Sequence, residues 1–455
     1  VYPPTIAADN PETIAYVMAS SGLQLTYGEL DSRSNQLAHL LRARGVGPGR
    51  SIVLILENRI EWPIVVAAGM RSGLAVTPLN WHLAPGELAT LLSEAAPAAI
   101  VTSSALRATV ATALGDDTDT VLLSVDDAGD GFDNLTEAIA NMPTTPIADE
   151  LLGARVLYSG GTTGRPKAFR QPLLGIHPAD APPRHAGLAA KLGIDGSTVL
   201  LSPAPSYHAA PFTFQLIVLA LGGTVVCMER FDPAAAMEAI HRHNVTHSQW
   251  VPTMLLRLLR LDSRERIELP RTHTVAFTAG APCPIEVKAQ INDWWGPILH
   301  EYYGASEGYG HTYISPTESQ NHPGSVGRPL DGTELHIADE NRTPLPTGTV
   351  GRVWFERVSD SGSPDPDDNS GWRSMGDSGY LDAGGFLYLV GRESFMIISG
   401  GVNIYPEEIE AVLVTHPYVA DAAVFGIPDP EFGEQVKAVV ELRAGHVATP
   451  RWNAL

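Results

Sequence analysis

Tyr158-Ser159-Gly160-Gly161-Thr162-Thr163-Gly164-Arg165-Pro166-Lys167-Ala168-Phe169 is a run of glycines and hydroxyl residues closed by a lysine. Four of its twelve positions are Gly or Pro, which rules out a regular helix or a central strand. Such a loop can turn the backbone N–H groups of Gly160, Gly161 and Gly164 toward an anion. Ser159, Thr162 and Thr163 add hydroxyl donors and Lys167 adds a positive charge, an inventory that suits a triphosphate. Upstream, Ala154-Arg155-Val156-Leu157 reads as a short strand entering the loop, the usual place for a nucleotide site in an α/β fold. The order of residues matches neither G-x-x-x-x-G-K-[ST] nor a G-x-G-x-x-G opening a helix, so the Walker and Rossmann readings both fail. By composition alone, a surface Gly/Thr turn with an incidental lysine is an equal alternative.

Toward the N-terminus, Thr26 and Glu29 have capping-box spacing ahead of Leu30, Leu37, Leu40 and Leu41, which predicts an amphipathic helix over 26–44. The glycines and proline of 45–49 stop it. A buried strand at 51–56, a helix at 62–72 and a strand at 75–79 follow. Similar units recur at 88–102, 199–202, 214–227, 234–243, 248–259 and 274–279. The predicted fold class is α/β, with parallel-rich sheets flanked by helices, a small β-rich region over 324–355 and a solvated loop at 364–369. Beyond 391 the pattern changes to a small α+β module. Residues 395–398 are apolar, Pro406-Glu407-Glu408 opens a helix with two carboxylates at the positive end of its dipole, and 420–426 and 435–442 read as strands. The expected organisation is a large domain over 1–391, a hinge at 392–394 and a small mobile domain over 395–455, expected to be incomplete.

A chain of 455 residues exceeds one ordinary core, and a net charge of −21 argues against nucleic acid or an anionic membrane face as partner. Only four of the 30 basic residues are lysine, which makes Lys167 the more notable. Cys227 and Cys283 have neither disulfide-framework nor metal spacing. No leader pattern opens the sequence and no apolar run approaches about 18 residues. The expectation is a cytoplasmic protein without a membrane span.

The loop resembles the signature of the adenylate-forming enzymes, the superfamily of acyl-CoA synthetases, luciferases and peptide-synthetase adenylation domains. Its pattern there is Tyr-Thr-Ser-Gly-Thr-Thr-Gly-x-Pro-Lys-Gly; here Ser159, Gly160 and Ala168 stand for Thr, Ser and the last Gly. Four further segments match in the same order. Thr278-Ala279-Gly280-Ala281-Pro282 resembles the turn against which adenine packs, with Ala279 replacing a glycine. Glu301-Tyr302-Tyr303-Gly304-Ala305-Ser306-Glu307 resembles the Tyr-Gly-x-Thr-Glu element. The resemblance implies an aromatic face for adenine at Tyr303 beside Tyr302, a hydroxyl for the α-phosphate at Ser306 and a Mg²⁺ ligand at Glu307. Ser374-Met375-Gly376-Asp377 resembles the segment whose carboxylate accepts from both ribose hydroxyls, and Arg392, fifteen residues on, is implied to contact ribose or phosphate. Ser394 stands where the family's hinge residue is often Asp or Lys. Ser399-Gly400-Gly401, before Val402 to Glu410, resembles the segment that lines the thiol tunnel, in wording closest to acyl-CoA synthetases of the bacterial fatty-acid branch. The family also carries a lysine in a Gly-Lys segment near its end. No such segment follows Gly401, and the role is not carried onto Lys437.

For the acid, Tyr207, His208 and Phe212 align with the segment beside the carboxylate, and Trp250 and Val251, with Gly280 and Gly304, are implied to line the acyl site. His208 is implied to orient the carboxylate or gate the pocket, against the alternative of a packing residue. His241, His243 and His247 do not share one helix face and are expected at the surface. Cys283 has no evident base beside it. The implied enzyme is an ATP- and Mg²⁺-dependent acid–thiol ligase that activates an apolar carboxylic acid as acyl-adenylate and passes it to CoA, with Lys167, Thr163, Glu307 and His208 in catalytic roles. Alternatives are an acyl-AMP ligase serving a phosphopantetheine carrier or partner enzyme, and a catalytically silent nucleotide-binding homologue. The oligomeric state stays open, a dimer among the options.

Overall fold

The computed structural model describes the whole chain except residues 1, 116–118, 160–166, 183–184, 263–265, 305–307, 331, 358–370, 393–394, 400–401, 430–431, 444 and 447–455. Two compact units form, one of Val1–Trp250 with Arg260–Phe277 and one of Val251–Leu259 with Thr278–Leu455.

The first unit carries two sheets. In one the strands run in the order Asp133–Asn134, Val121–Ser124, Pro97–Thr102, Ser51–Ile55, Ala75–Pro78, Ala154–Ser159 and Lys167–Arg170. All its pairings are parallel except the last. Parallel strands are covered by helices on both faces and read as continuous apolar runs. Ser51–Ile55 accordingly has every residue buried. Helix Tyr27–Ala43 starts at Thr26 with the capping box complete, and with helix Trp62–Arg71 it packs a core that includes Leu37, Leu41, Val65, Ile52 and Trp62. In the other sheet His247–Trp250, Val199–Ser202, Thr224–Cys227 and Ile14–Met18 run parallel, and Gln24–Thr26 closes the edge antiparallel.

The glycine-rich loop has a setting that its sequence does not announce. Ala154–Ser159 is answered by the antiparallel strand Lys167–Arg170 in the register Ser159↔Lys167, so the two flanks of the loop lie side by side. The next described element after the loop is this strand and not a helix.

The second unit is antiparallel. Leu299–Gly304 pairs with His311–Ile314, which pairs with Arg328–Pro329. A five-stranded sheet of Thr333–Ala338, Gly351–Arg357, Trp372–Arg373, Asp377–Leu381 and Leu387–Arg392 carries the expected β-rich region on to 392. Its core joins Val326, Ile337, Val353, Phe355, Met375 and Leu387. Beyond it, Ile397–Ser399, Val402–Ile404, Val419–Asp429 and Gly433–Leu442 form a four-stranded sheet beside helix Pro406–Leu413, the expected α+β module. Among the described residues no helix is long and apolar enough to cross a membrane.

Candidate active site

Asp377 holds two polar partners in the second unit. Gly376, at φ +83°, turns the chain just ahead of strand Asp377–Leu381, and its N–H donates to Ser374 Oγ at 3.1 Å. A positive φ is open to glycine at little steric cost. Asp377 and Arg392 are register partners across the hairpin, which explains their fifteen-residue spacing. Arg392 Nε donates to Asp377 Oδ1 at 2.8 Å, and Tyr303 Oη, from strand Leu299–Gly304, donates to Oδ2 at 2.5 Å. An ionised carboxylate offers about four lone-pair sites. Among the described residues these two donors use one site on each oxygen of Asp377, so each can accept one bond more.

Gly280, Ala281 and Pro282 form an exposed turn after strand Val275–Thr278. Gly280 has φ +90°, and a Cβ there would meet only Val251 Cγ1 at 3.8 Å. The glycine is therefore set by backbone conformation, and the space above it is open. At Gly304 the reason differs, because a Cβ would run into the His311 ring. Tyr302 is buried with its ring 6.2 Å from that of His311.

Of the residues expected beside the acid, Tyr207, His208 and Phe212 gather at one helix start. His208 is the N-cap residue of helix Ala209–Leu221 and its ring lies 4.3 Å from that of Tyr207. Burial lowers the His208 pKa and favours the neutral imidazole. Phe212 is a core residue, edge-on to Trp62 at 6.0 Å. Trp250 is fully buried, its indole N–H donating to Ser248 Oγ at 2.6 Å, and Ser248 in turn bonds His273 Nε2 at 2.7 Å.

The residues expected to hold phosphate lie largely outside the described ones. Gly160, Gly161, Thr162, Thr163 and Gly164 fall there, as do Ser306 and Glu307, Gly400 and Gly401. Their flanks are described. Ser159 and Lys167 are backbone partners, and Ser399 pairs with Val402.

One expectation changes. His247 is a core residue, with Nε2 2.8 Å from the Leu192 carbonyl and Nδ1 2.7 Å from Thr246 Oγ1. It was expected at the surface, but strand His247–Trp250 lies inside a sheet covered on both faces, which the helical reading of the spacing does not reveal. His241 points elsewhere, to the Glu268 carbonyl, so the three histidines share no centre. One described cluster has metal-like spacing, Glu334, His336 and Glu356, but His336 is already bonded to Glu356 at 3.0 Å and stacked on Trp372. Cys283 is buried, and burial pushes its thiol pKa up, away from nucleophilic use.

A model of the AMP-binding enzyme family matches residues 5–359, and one of the AMP-binding enzyme C-terminal domain matches 408–453. The chain belongs to the AMP-binding enzyme family. A medium/long-chain-fatty-acid–CoA ligase of Mycobacterium tuberculosis (strain ATCC 25618 / H37Rv) is 30% identical over 92% of this chain and 76% of its own. A 2-succinylbenzoate–CoA ligase of Bacillus subtilis (strain 168) is 30% identical over 95% of this chain and 86% of its own. The o-succinylbenzoate–CoA synthetase of Bacillus subtilis, solved with its acyl-adenylate, superimposes with a TM-score of 0.82 at 27% identity, covering 99% of this chain and 90% of that one. The same synthetase has been solved with ATP and magnesium, at a TM-score of 0.81. The chain is thus an AMP-forming acid–thiol ligase of the adenylate-forming superfamily, and ATP and Mg²⁺ are typical of this family.

Within this family fold, one polar contact was not foreseen. The Arg392 backbone N–H donates to Glu407 Oε1 at 3.4 Å, and Gly391 comes so near Tyr405 and Glu407 that a Cβ there would collide with both. Burial raises the Glu407 pKa, with Glu410 and Asp377 adding to the effect. The signal in the sequence was the acidic pair after Pro406, which was read only as a helix start.

Proposed function

We propose that this ligase is an acyl-CoA synthetase for an apolar carboxylic acid. The carboxylate attacks the α-phosphorus of ATP, the α–β anhydride breaks and pyrophosphate leaves with the electron pair. The thiol of CoA then gives up its proton and attacks the acyl carbon, and the bond to AMP breaks. The observation that carries the nucleotide half is Asp377, held by Tyr303 and Arg392 with lone pairs to spare. Lys167 and the amides of 160–164 hold the β- and γ-phosphates and stabilise the charge that grows there. Ser306 bonds the α-phosphate, and the turn at 280–282 with Tyr302 and Tyr303 receives the adenine.

An apolar acid is favoured by the helix start at 207–221, which contains no charged residue, and by the neutral state of His208. A neutral imidazole can donate one hydrogen bond to the carboxylate without forming an ion pair that would hold it back from attack. Trp250, Val251 and Gly304 complete the acyl side. Ser399, Gly400 and Gly401 line the path of the pantetheine arm, carried by a mobile domain over 395–455 that turns about 392–394. Glu307 is the proposed Mg²⁺ ligand; when bound, the ion supplies positive charge beside the phosphates.

Pyrophosphate exchange with a panel of acids tests the reading. Exchange with medium- or long-chain fatty acids above that with 2-succinylbenzoate or a short polar acid is expected. No exchange with any acid would leave a silent nucleotide-binding protein, and accumulation of acyl-AMP without acyl-CoA in the presence of CoA would point to a carrier or partner enzyme as acceptor. Glu307→Ala is expected to lower exchange by roughly 100-fold or more with the fold intact; unchanged exchange removes the metal assignment.

A further inference from the structure

Lys288 and Glu301 form a buried ion pair that no step above uses. The ammonium donates to the carboxylate at 2.7 Å, and the two side chains are 7% and 4% exposed. Burial works against the Lys288 charge, but the charge and hydrogen bond of Glu301 outweigh it and raise the lysine pKa. Two buried charges cost several kcal/mol each in desolvation, and apolar residues of similar volume often stabilise a fold as well or better. Stability alone is therefore a poor reason for the pair, and its placement supplies another.

Lys288 lies in the first turn of helix Ile285–Trp295, which starts just after the turn at 280–282. Glu301 is two residues before Tyr303 on strand Leu299–Gly304, and so on the same strand face. The pair joins the helix that leaves one wall of the adenine site to the strand that presents the other. Tyr303 is also the donor to Asp377 Oδ2.

We propose that Lys288–Glu301 is a positioning pair that sets the distance between the 280–282 turn and Tyr303, and thereby the affinity for ATP, without touching the nucleotide. A charge-assisted hydrogen bond has a short, directed length, whereas an apolar contact is non-directional and can slide. The proposal rests on the nucleotide assignment above.

Lys288→Met, Glu301→Gln and the double variant Lys288→Met/Glu301→Met test it, read by calorimetric binding of ATP, by melting temperature and by pyrophosphate exchange. Each single change is expected to weaken ATP binding and raise the KM for ATP about tenfold or more, with the KM for the acid nearly unchanged. The double variant is expected to regain the wild-type melting temperature but not the ATP affinity. Folded single variants that bind ATP like the wild type would overturn the proposal. So would a double variant that regains affinity together with stability, or one that fails to fold, since the pair would then serve folding alone. A wild-type protein that binds no ATP would instead remove the nucleotide assignment itself.

Discussion

Strand Ser51–Ile55 has all five residues buried, whereas strand Gly433–Leu442, twice as long, has none. The first sits in a parallel sheet with helices on both faces. The second belongs to the small module, where its partner Val419–Asp429 buries only Val419 and Val424. Val402, Val412, Phe425 and Val439, all in that module, stay exposed. One region is held by removal of apolar surface from water, at roughly 25 cal/mol per Å². The other is held mainly by a backbone ladder whose hydrogen bonds contribute only about 1 kcal/mol each net of water. Regions of low apolar burial open locally at lower free energy than the core, and moving elements are drawn from them. A weakly anchored module fits the proposed role of residues 395–455 as the part that turns.

The contrast is open to attack at several strengths. The largest effect is expected at Trp62, fully buried against Phe212. Trp62→Ala should cost about 3–5 kcal/mol in denaturant unfolding, and a loss near zero would deny that packing holds the large sheet. Next, amides of Gly433–Leu442 should exchange with deuterium on the order of 100-fold faster than those of Ser51–Ile55 under native conditions. Equal protection would make the two regions one cooperative unit.

A more gradual effect is expected from acid, small for each pH unit. Burial pushes the His273 pKa down to about 3, so the folded chain keeps that imidazole neutral. The unfolded chain protonates it below about 6.5, so the stability of the first unit should fall as pH drops from there toward the folded pKa, by up to about 1.4 kcal/mol per pH unit. A His273→Gln variant should show a shallower decline, and an unchanged pH profile would refute the assignment. Least of all, Val439→Ala on the exposed ladder should shift stability by less than about 0.5 kcal/mol; a loss above 1 kcal/mol would show that the exposed face is covered.

Helix 27–43 was legible because a capping box and a leucine period are local chemistry, and buried parallel strands announce themselves as apolar runs. The strand pair flanking the glycine-rich loop was not, because Lys167 to Arg170 is short and its strand character comes from pairing with Ala154–Ser159. His247 misled for a similar reason: its burial depends on helices that cover the sheet, not on its neighbours in sequence.

The residue types of the site were determined by sequence alone. Glycine density, hydroxyls and a lysine give the loop the donor inventory of an anion site, and the separate motifs reach Tyr303, Asp377 and Arg392 by their local pattern. Which of these groups meet was decided by the tertiary structure. Tyr303 and Asp377 are 74 positions apart, and a sheet edge and a hairpin must be packed before the hydroxyl can reach the carboxylate. The Lys288–Glu301 pair, 13 positions apart on a helix and a strand, is visible only once both elements bury their facing sides. Local conformation is set by neighbours a few residues away, whereas a contact between distant segments exists only after the chain has excluded water between them.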